Sequence, residues 1–450
     1  MGLYTFKQIT SEAEIRAAAR IGSLAYPGFK LYSDESLATF TSSMLVRYGV
    51  DASAEMKGYQ QLFGGFDGEA LVAHYVVRTF GVSLFGQVHK MGGLSFVAVD
   101  VLRKKQGVAK ALVSNYLASC FDNNQFLAAL YPFRPDFYLK MGFGLSTPFY
   151  DYTIPPAAFP LAPRKAVTPP SHSVLEHLDP AHVNEIVECQ NRFATLNHGQ
   201  FHRNAINYNE VAFRDKGETR VLGYRDEDRV LRGFLVFKFK ATDKGLIIND
   251  LEVLEFIHES TPAFFALSKF LNQQADQIRH ILLSSQNPEF YRLLSDPRAG
   301  DALHDLRGLS HASRETSVQA TGIMYRVVNL EKLLSVTFKE RNYNGVDGLK
   351  LMIRMEDSLT PEMNPPVLVE FVKGKCVVLD VGAHVLEVAV GGAVALLDID
   401  VSEFSALIVG AVSLLTLVDY GKAVVEPQDK LALVKKAFWV EKAPVNSVFF

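Results

Sequence analysis

The sequence has few cysteines, almost no net charge and no long apolar run. Its three cysteines, Cys120, Cys189 and Cys376, are far apart and lack C-x-x-C spacing, which argues against a disulfide framework or a cysteine-rich zinc site. The 46 basic and 49 acidic residues leave a formal charge of −3, which disfavours nucleic acid as a partner. The longest uncharged run, residues 404–418, is too short to cross a bilayer, and the N-terminus resembles neither a signal peptide nor a myristoylation site. We therefore expect a cytoplasmic protein without a membrane span.

The length and the apolar content favour several packed domains. At roughly 150 residues per domain, the chain has room for about three, and 48% of its residues are hydrophobic. Prolines are concentrated in residues 154–170, and residues 300–319 are polar without periodicity. We predict domains at 1–153, 154–310 and 311–450. The first two alternate helix and strand patterns in a similar order, and the third has an α+β pattern of its own, so the predicted fold class is α/β and α+β.

A strand, a basic turn and a helix follow one another in the stretch F-V-A-V-D-V-L-R-K-K-Q-G-V-A-K. The unpaired N–H groups and the dipole of a helix N-terminus bind phosphate. Gly107 and Ala109 keep bulky side chains away from this turn, while Lys104, Lys105 and Lys110 add positive charge. The pattern predicts an anion site. The alternative interpretation is a solvated basic turn without a ligand.

A second element, L-Y-P-F-R-P-D-F-Y-L-K-M-G-F-G, follows that helix. Together with K-K-Q-G-V-A it resembles the Gcn5-related N-acetyltransferase (GNAT) superfamily, whose acetyl-CoA motif is Q/R-x-x-G-x-G/A. Lys104 stands where Gln or Arg is usual. The length, the repeated α/β pattern, the run D-I-D-V-S-E-F-S-A-L-I-V-G and the terminal Phe450 are similar to the enhanced intracellular survival (Eis) acetyltransferases. This resemblance implies tandem GNAT-type mixed-sheet domains, a sterol-carrier-like α+β domain after them, and a homo-oligomer, hexameric in that family.

The resemblance also implies an enzyme with acetyl-CoA as co-substrate and a small-molecule amine as acceptor, an aminoglycoside or another polycationic amine among the candidates. Phe96 and Tyr26 are expected to line the amine pocket. The histidines lack metal-binding spacing, so we expect no metal. The residues assigned to cofactor binding are Val97, Ala98 and Val99 on the strand, Lys104, Lys105, Gln106, Gly107, Val108, Ala109 and Lys110 in the turn, and Phe133 and Arg134.

Two residues match the catalytic positions of the Eis family. Tyr138 matches a tyrosine that acts as general acid toward the departing thiolate, and Phe450 matches the last residue, whose carboxylate reaches the acetyltransferase site. The alternative for Tyr138 is a core aromatic with a satisfied hydroxyl. The tail V-F-F is apolar, so its burial would carry the α-carboxylate inward. The alternative for the tail is packing on its own domain.

Two other functions stay open at this point. The chain could be another acyl-CoA transferase of the same superfamily, which includes the duplicated-domain N-myristoyltransferase. It could also be a non-catalytic lipid-binding or scaffold protein in which the C-terminal segment holds an apolar ligand. Binding of coenzyme A separates the second alternative from the enzymes.

Overall fold

The computed structural model describes residues 4–162, 174–213, 217–242, 248–299, 315–379 and 394–447. Within these ranges the chain forms two compact units. Residues 4–146 and 323–443 belong to the first unit, and residues 147–322 and 444–447 belong to the second. The chain therefore leaves the first unit after Ser146 and returns to it at Ile323. In the described part of the chain, no helix combines the length and apolarity that a membrane span requires.

A mixed sheet of seven strands organises the first unit. The strands are β1 (Thr5–Gln8), β2 (Gln60–Asp67), β3 (Ala70–Leu84), β4 (Gln87–Val99), β5 (Leu127–Leu130), β6 (Gly144–Leu145) and β14 (Met324–Val327). Their order is β1-β2-β3-β4-β5-β14-β6. All neighbouring pairs are antiparallel except β4 and β5, which are parallel.

Helices cover both faces of this sheet. They are α1 (Glu12–Ala25), α2 (Asp34–Tyr48), α3 (Ala54–Tyr59), α4 (Val108–Asp122) and α5 (Pro135–Leu139). The spacing S-x-x-E at Ser11 and Glu14 predicts a helix start, and the Ser11 side chain does accept a hydrogen bond from the Glu14 N–H at the start of α1. Val76 packs with α1, whereas the adjacent Val77 packs with α4, so the two helices cover opposite faces.

The second unit has its own seven-stranded sheet. Its strands are β7 (Phe149–Ile154), β8 (Val174–Leu178), β9 (Thr219–Arg225), β10 (Leu231–Ala241), β11 (Asn249–His258), β12 (Ile278–Ser285) and β13 (Val318–Ala320), and its helices are α6 (Val183–Leu196), α7 (Ala205–Val211) and α8 (Thr261–Asn272). The strand order is β13-β7-β12-β11-β10-β9-β8. Strands β9, β10 and β11 pair antiparallel in succession, and α8 then leads to β12, which is parallel to β11. The first unit has the same order in β2, β3, β4, α4 and β5.

The density of prolines in residues 154–170 predicts a linker, and this stretch lies partly outside the described residues. Its described part is packed, because Ala158 and Phe159 are 3% and 2% exposed in the core of the second unit. Short 3₁₀ turns occur here and elsewhere, at Pro27–Phe29, Val101–Arg103, Pro156–Ala158, Pro180–His182, Phe290–Leu293, Pro361–Met363 and Gln428–Lys430.

The C-terminal part of the first unit adds a third sheet. Its strands are β15 (Lys350–Glu356), β16 (Val367–Val372), β17 (Lys375–Leu379), β18 (Ala395–Asp400) and β19 (Ala423–Glu426). The helices of this part are α9 (Leu330–Lys332), α10 (Val401–Val409), α11 (Leu414–Asp419) and α12 (Leu431–Ala437). Helix α9 continues as a π-helical turn at Leu333–Thr337. The strand order is β17-β16-β15-β18-β19. Helix α10 packs closely on β6, since a β-carbon at Gly144 would lie 2.0 Å from the Ser402 carbonyl oxygen.

Candidate active site

Strands β4 and β5 separate in the middle of the first sheet. They pair in parallel only where Gly92, Gly93 and Leu94 face residues 128–130. Strand β4 continues to Val99, and no described strand pairs with its β5 side beyond Leu94. The backbone groups of residues 95–99 therefore border an opening in the sheet, where a ligand can bind as an added strand would.

A β-bulge lies at this opening. The register with β3 places Val76 opposite Ser95 and His74 opposite Ala98, so two residues of β4, Phe96 and Val97, face one residue of β3. Phe96 has a φ of 48°, which is uncommon for a bulky side chain. Such strain is typical of functional sites, where a bulge redirects backbone groups.

The predicted basic turn leads into α4. Gly107 has a φ of 82° and precedes the helix without any side-chain cap, so the first N–H groups of α4 have no capping acceptor. A β-carbon at Gly107 would meet nothing within 4 Å, which leaves this side of the turn open. Lys104, Lys105 and Lys110 are exposed around it. The arrangement fits a phosphate group, because the helix dipole and the lysine charges both favour an anion there.

Tyr138 lies in α5 and is 3% exposed. It packs in the same cluster as Val97 and contacts Phe133, Phe137 and Phe143 edge-on at 5.1 to 5.9 Å between ring centroids. Burial, with a smaller contribution from the nearby Tyr26 hydroxyl, raises the pKa of Tyr138. The Tyr138 hydroxyl therefore carries its proton at neutral pH, as a general acid must before it acts.

Tyr26 follows α1 and reaches the opened part of β4. Its hydroxyl donates a hydrogen bond to the Val97 carbonyl oxygen at 2.6 Å. Burial raises the pKa of Tyr26 to about 12. The structure thus brings together Tyr26, Phe96, Val97 and Tyr138, four of the residues singled out from the sequence.

Aromatic rings form a wall on the α1 side of the bulge. The rings of Tyr26, Phe29 and Phe40 lie around Phe96, with centroid distances of 5.4 to 6.1 Å. His74 also packs against Phe96, with 4.6 Å between ring centroids, and is fully buried. Phe29, Phe40 and His74 are distant from Phe96 in the chain and carry no motif, so the sequence alone did not point to them.

The remaining predicted residues have less defined surroundings. Phe133 is 68% exposed beside Tyr138. The Arg134 guanidinium donates to the Asp136 carboxylate at 2.6 Å, and it is likewise exposed. Ala98 is buried and Val99 is half-buried. The cofactor-binding role assigned to these residues stays a prediction.

Phe450 lies outside the described residues. The preceding tail is held within the second unit, where the Ser447 hydroxyl donates to the Gln200 side-chain oxygen at 3.1 Å. Asn446 is 1% exposed, and its side-chain oxygen accepts from the Phe201 N–H at 3.4 Å. The segment just before the chain end is therefore hydrogen-bonded to the second unit, with Asn446 buried.

The second unit has different chemistry at the equivalent point of its sheet. Strand β11 pairs in parallel with β12 only as far as Val253, and it continues to His258 paired with β10 alone among the described strands. The turn that follows contains Glu259, whose carboxylate accepts from Arg192 at 2.8 Å and from Arg232 at 3.4 Å. Ser260 caps α8 there. An acidic side chain thus lies where the first unit has lysines, so a phosphate is favoured at the first unit.

No cluster of three or more histidine, cysteine or carboxylate side chains suited to a metal ion occurs in the described ranges. Tyrosine hydroxyls, backbone amides and lysine side chains lie around the opening of β4 and the turn that follows it. These groups bind anions and move protons, which is the chemistry that acyl transfer from a thioester requires.

Family models match both units. A model described as an acetyltransferase (GNAT) domain matches residues 13–146, and a second model of the same description matches residues 199–326. Together they cover more than half of the chain. The protein is therefore an acyl-CoA-dependent N-acetyltransferase. Its chain contains two GNAT acetyltransferase domains, and such domains use acetyl-CoA.

Solved structures share the fold over nearly the whole chain. A probable N-acyltransferase from Enterococcus faecalis is 19% identical, has a TM-score of 0.73 and covers 99% of both chains. A GCN5-related N-acetyltransferase from Anabaena variabilis is 18% identical, with a TM-score of 0.73 and coverage of 99% of this chain and 100% of that chain. Eis1 from Mycobacterium abscessus is 17% identical, with a TM-score of 0.70 and the same coverage. No curated protein sequence matches this chain. At these identities the likeness establishes the fold.

Proposed function

We propose that this enzyme transfers the acetyl group of acetyl-CoA to a primary amine at the opening between β4 and β5 of the first unit. The observation that carries the proposal is the convergence of the bulge at Phe96, the uncapped N-terminus of α4 and the protonated Tyr138. Residues 97–99 bind the pantetheine arm through backbone hydrogen bonds, and residues 104–110 bind the pyrophosphate. The thioester lies beside Val97.

Tyr138 is the proposed general acid. Its raised pKa keeps the hydroxyl protonated until the amine has attacked the thioester, and the departing thiolate then takes the proton. Its place in the cluster that includes Val97 supports this role. The Tyr26 hydroxyl serves a different purpose, because it is committed to the Val97 carbonyl oxygen and fixes the bulge beside the thioester.

The acceptor is a cationic amine in this proposal, with aminoglycosides and other polycationic amines as the first candidates. The faces of Tyr26, Phe29 and Phe96 form the wall on the acceptor side. Aromatic faces attract ammonium groups at distances up to about 6 Å. The α-carboxylate of Phe450 anchors the ammonium and passes its proton to water, a role that follows the Eis resemblance.

The other parts of the chain follow the Eis resemblance. We propose the three-part division at 1–153, 154–310 and 311–450, a sterol-carrier-like third part, a homo-oligomer of hexameric type and a cytoplasmic location. The similarity in fold to Eis1 from Mycobacterium abscessus supports this assignment. Transfer of a longer acyl group is the second candidate within the same chemistry.

Calorimetric titration with acetyl-CoA, followed by turnover measurements on a panel of amines, tests the proposal. We expect binding of one acetyl-CoA per chain and turnover that is fastest with polyamines or aminoglycosides. Longer acyl-CoA donors in the same assay separate acetyl transfer from other acyl transfer. Absence of coenzyme A binding would contradict the proposal and would favour a lipid-binding or scaffold protein.

A further inference from the structure

A buried arginine lies directly under the turn that follows α5. Gly142 in this turn has a φ of 80°, and a β-carbon there would be 1.7 Å from the Arg326 Nη1 atom and 2.6 Å from Val401 Cγ1. The guanidinium group therefore packs against the glycine itself. Only a residue without a side chain fits both the left-handed backbone and this contact.

Asp357 holds the guanidinium in place. Its two carboxylate oxygens accept from Arg326 Nη2 at 3.0 and 2.9 Å, and the Thr360 hydroxyl accepts from the same nitrogen at 2.9 Å. The side chains of Arg326 and Asp357 are 0% and 1% exposed. Asn364 donates to Asp357 at 2.9 Å, so the carboxylate is itself oriented by a neighbour. The ion pair is thus a fixed part of the fold.

Among the described residues, the other two nitrogens of the guanidinium have no polar partner, and one of them faces the turn. Within the described part of the chain, Arg326 Nε and Nη1 are buried without a hydrogen-bond partner. Nη1 is the atom nearest to the β-carbon position of Gly142. Leaving such donors unpaired is unfavourable, so a purely stabilising ion pair is a poor explanation of this geometry.

The turn connects Arg326 to Tyr138 through the backbone. The Met141 and Phe143 N–H groups both donate to the Tyr138 carbonyl oxygen, at 2.9 and 3.1 Å. The Gly142 N–H donates to the Leu139 carbonyl oxygen at 2.9 Å. A shift of Gly142 would therefore move the backbone of Tyr138, and with it the hydroxyl.

We propose that Arg326, oriented by Asp357, is a positioning residue that sets the Tyr138 hydroxyl for proton transfer. The inference rests on the proposed function of Tyr138 as general acid. It gives the C-terminal part of the first unit a role in the reaction, because Asp357 and Thr360 belong to that part of the chain. Small displacements matter here, since proton transfer requires hydrogen-bond distance between the two heavy atoms.

The test is a kinetic cycle between the ion pair and Tyr138. The double variant Arg326→Met/Asp357→Leu replaces the pair by apolar groups of similar volume, an exchange that commonly preserves folding. We expect kcat to fall at least tenfold while the Kd of acetyl-CoA stays within twofold. In the Tyr138→Phe background the same double variant should cause no further loss of kcat.

Two further variants complete the design. Arg354→Met/Asp398→Leu removes an exposed ion pair of the third sheet and should leave kcat unchanged. Arg326→Lys keeps a cation for Asp357 but removes the planar group under Gly142. We expect this variant to fold and to have a lower kcat than the original enzyme. In the Tyr138→Phe background, Arg326→Lys should cause no further loss of kcat. It provides the test if the double variant does not fold.

Three results separate the possibilities. Full kcat in a folded Arg326→Met/Asp357→Leu or Arg326→Lys variant would overturn the inference, provided that Tyr138→Phe is impaired. An equal fractional loss in both Tyr138 backgrounds would also overturn it, because the ion pair would then act independently of Tyr138. Full activity of Tyr138→Phe itself would overturn the proposed general acid, and this inference with it.

Discussion

The hydroxyl of Tyr26 donates a hydrogen bond to the carbonyl oxygen of Val97 at 2.6 Å. This bond joins the segment after α1 to the bulge of β4, where the strand has left β5. With the pKa of Tyr26 raised to about 12 by burial, the hydroxyl remains a donor across the physiological range. The bond stabilises the strained backbone beside the thioester position that we propose.

Tyr26→Phe removes this donor from the carbonyl oxygen of Val97, a half-buried residue. We expect the free energy of unfolding to fall by about 1 to 3 kcal/mol, and the KM of the amine to rise as the bulge loosens. Tyr32→Phe is the matched control, because Tyr32 lies in the same segment but is 81% exposed. Equal stability and equal KM in both variants would contradict the role of this hydrogen bond.

Gly107→Val tests the phosphate turn. Gly107 has a φ of 82°, and the added side chain would project into open space beside the uncapped N–H groups of α4. We expect acetyl-CoA to bind at least tenfold more weakly, about 1.4 kcal/mol, by calorimetry. Gly86→Val is the control, since Gly86 also has a positive φ of 76° and open surroundings but lies in the β3–β4 turn. The prediction is wrong if both variants bind acetyl-CoA equally well.

Tyr138→Phe tests the general acid. We expect acetyl-CoA affinity to be unchanged and kcat to fall on the order of 10²- to 10⁴-fold. Tyr152→Phe, at a tyrosine 3% exposed in the second unit, should have normal kcat. Turnover within twofold of the original enzyme, with product release shown not to limit the rate, would identify Tyr138 as a core aromatic only.

The pH profile gives a second measurement on Tyr138. Because burial raises its pKa above the ordinary value of 10.0, the acid form persists on the alkaline side. A general acid loses activity as pH rises through its pKa, so kcat should show no decline from Tyr138 up to about pH 9. A decline of kcat with rising pH that begins below pH 9 and is absent in Tyr138→Phe would contradict the raised pKa of Tyr138.

Two small residues added after Phe450 test the chain end. The addition would move the α-carboxylate by up to about 7 Å, at 3.3 to 3.6 Å per extended residue, without removing either phenyl ring. We expect acetyl-CoA affinity and thermal stability to be retained while amine turnover falls sharply. Deletion of Phe450 is less informative, because it changes charge and packing together. Full turnover in the extended enzyme would show that the tail is structural.

His74 gives a prediction about stability in acid. Burial lowers its pKa from 6.5 to about 3, although the carbonyl groups of Ala18 and Phe96 partly oppose the shift. Below pH 6.5 the unfolded chain binds a proton at this histidine and the folded chain does not. The free energy of unfolding should therefore fall by up to about 1.4 kcal/mol per pH unit from this group as the pH decreases toward 3.

His74→Leu removes that contribution. Its unfolding free energy, from denaturant titrations at pH 7, 6, 5 and 4, should decrease less steeply than that of the original protein. Carboxyl groups titrate in both proteins, so the difference between the two curves isolates His74. Parallel curves would show that the folded protein binds the proton as readily as the unfolded chain.

Local patterns in the sequence predicted much of the first unit and of the candidate site. The S-x-x-E spacing predicted α1, and the strand, basic turn and helix around Gly107 occur as expected. Both patterns depend on neighbouring residues, so one sequence contains enough information. The bond between Tyr26 and Val97 joins residues 71 positions apart, which periodicity does not encode.

The Arg326 contacts were missed for a related physical reason. Strand β14 has four residues and pairs with β5 and β6, which are distant in the chain. A short buried run of this kind has no distinctive period. Asp357 lies 31 positions from Arg326, and the buried charge pair has no sequence signature. Only Gly142 was visible in the motif, without the arginine that explains it.

The proposed reaction can be measured through both of its products. Purified enzyme is incubated with acetyl-CoA and a polycationic amine, and free CoA and N-acetylated amine are quantified together by mass spectrometry. We expect equal amounts of the two products, formed at rates that fall in Gly107→Val and Tyr138→Phe. Release of CoA without acetylated amine across the amine panel, or rates unaffected by both substitutions, would contradict the proposed reaction.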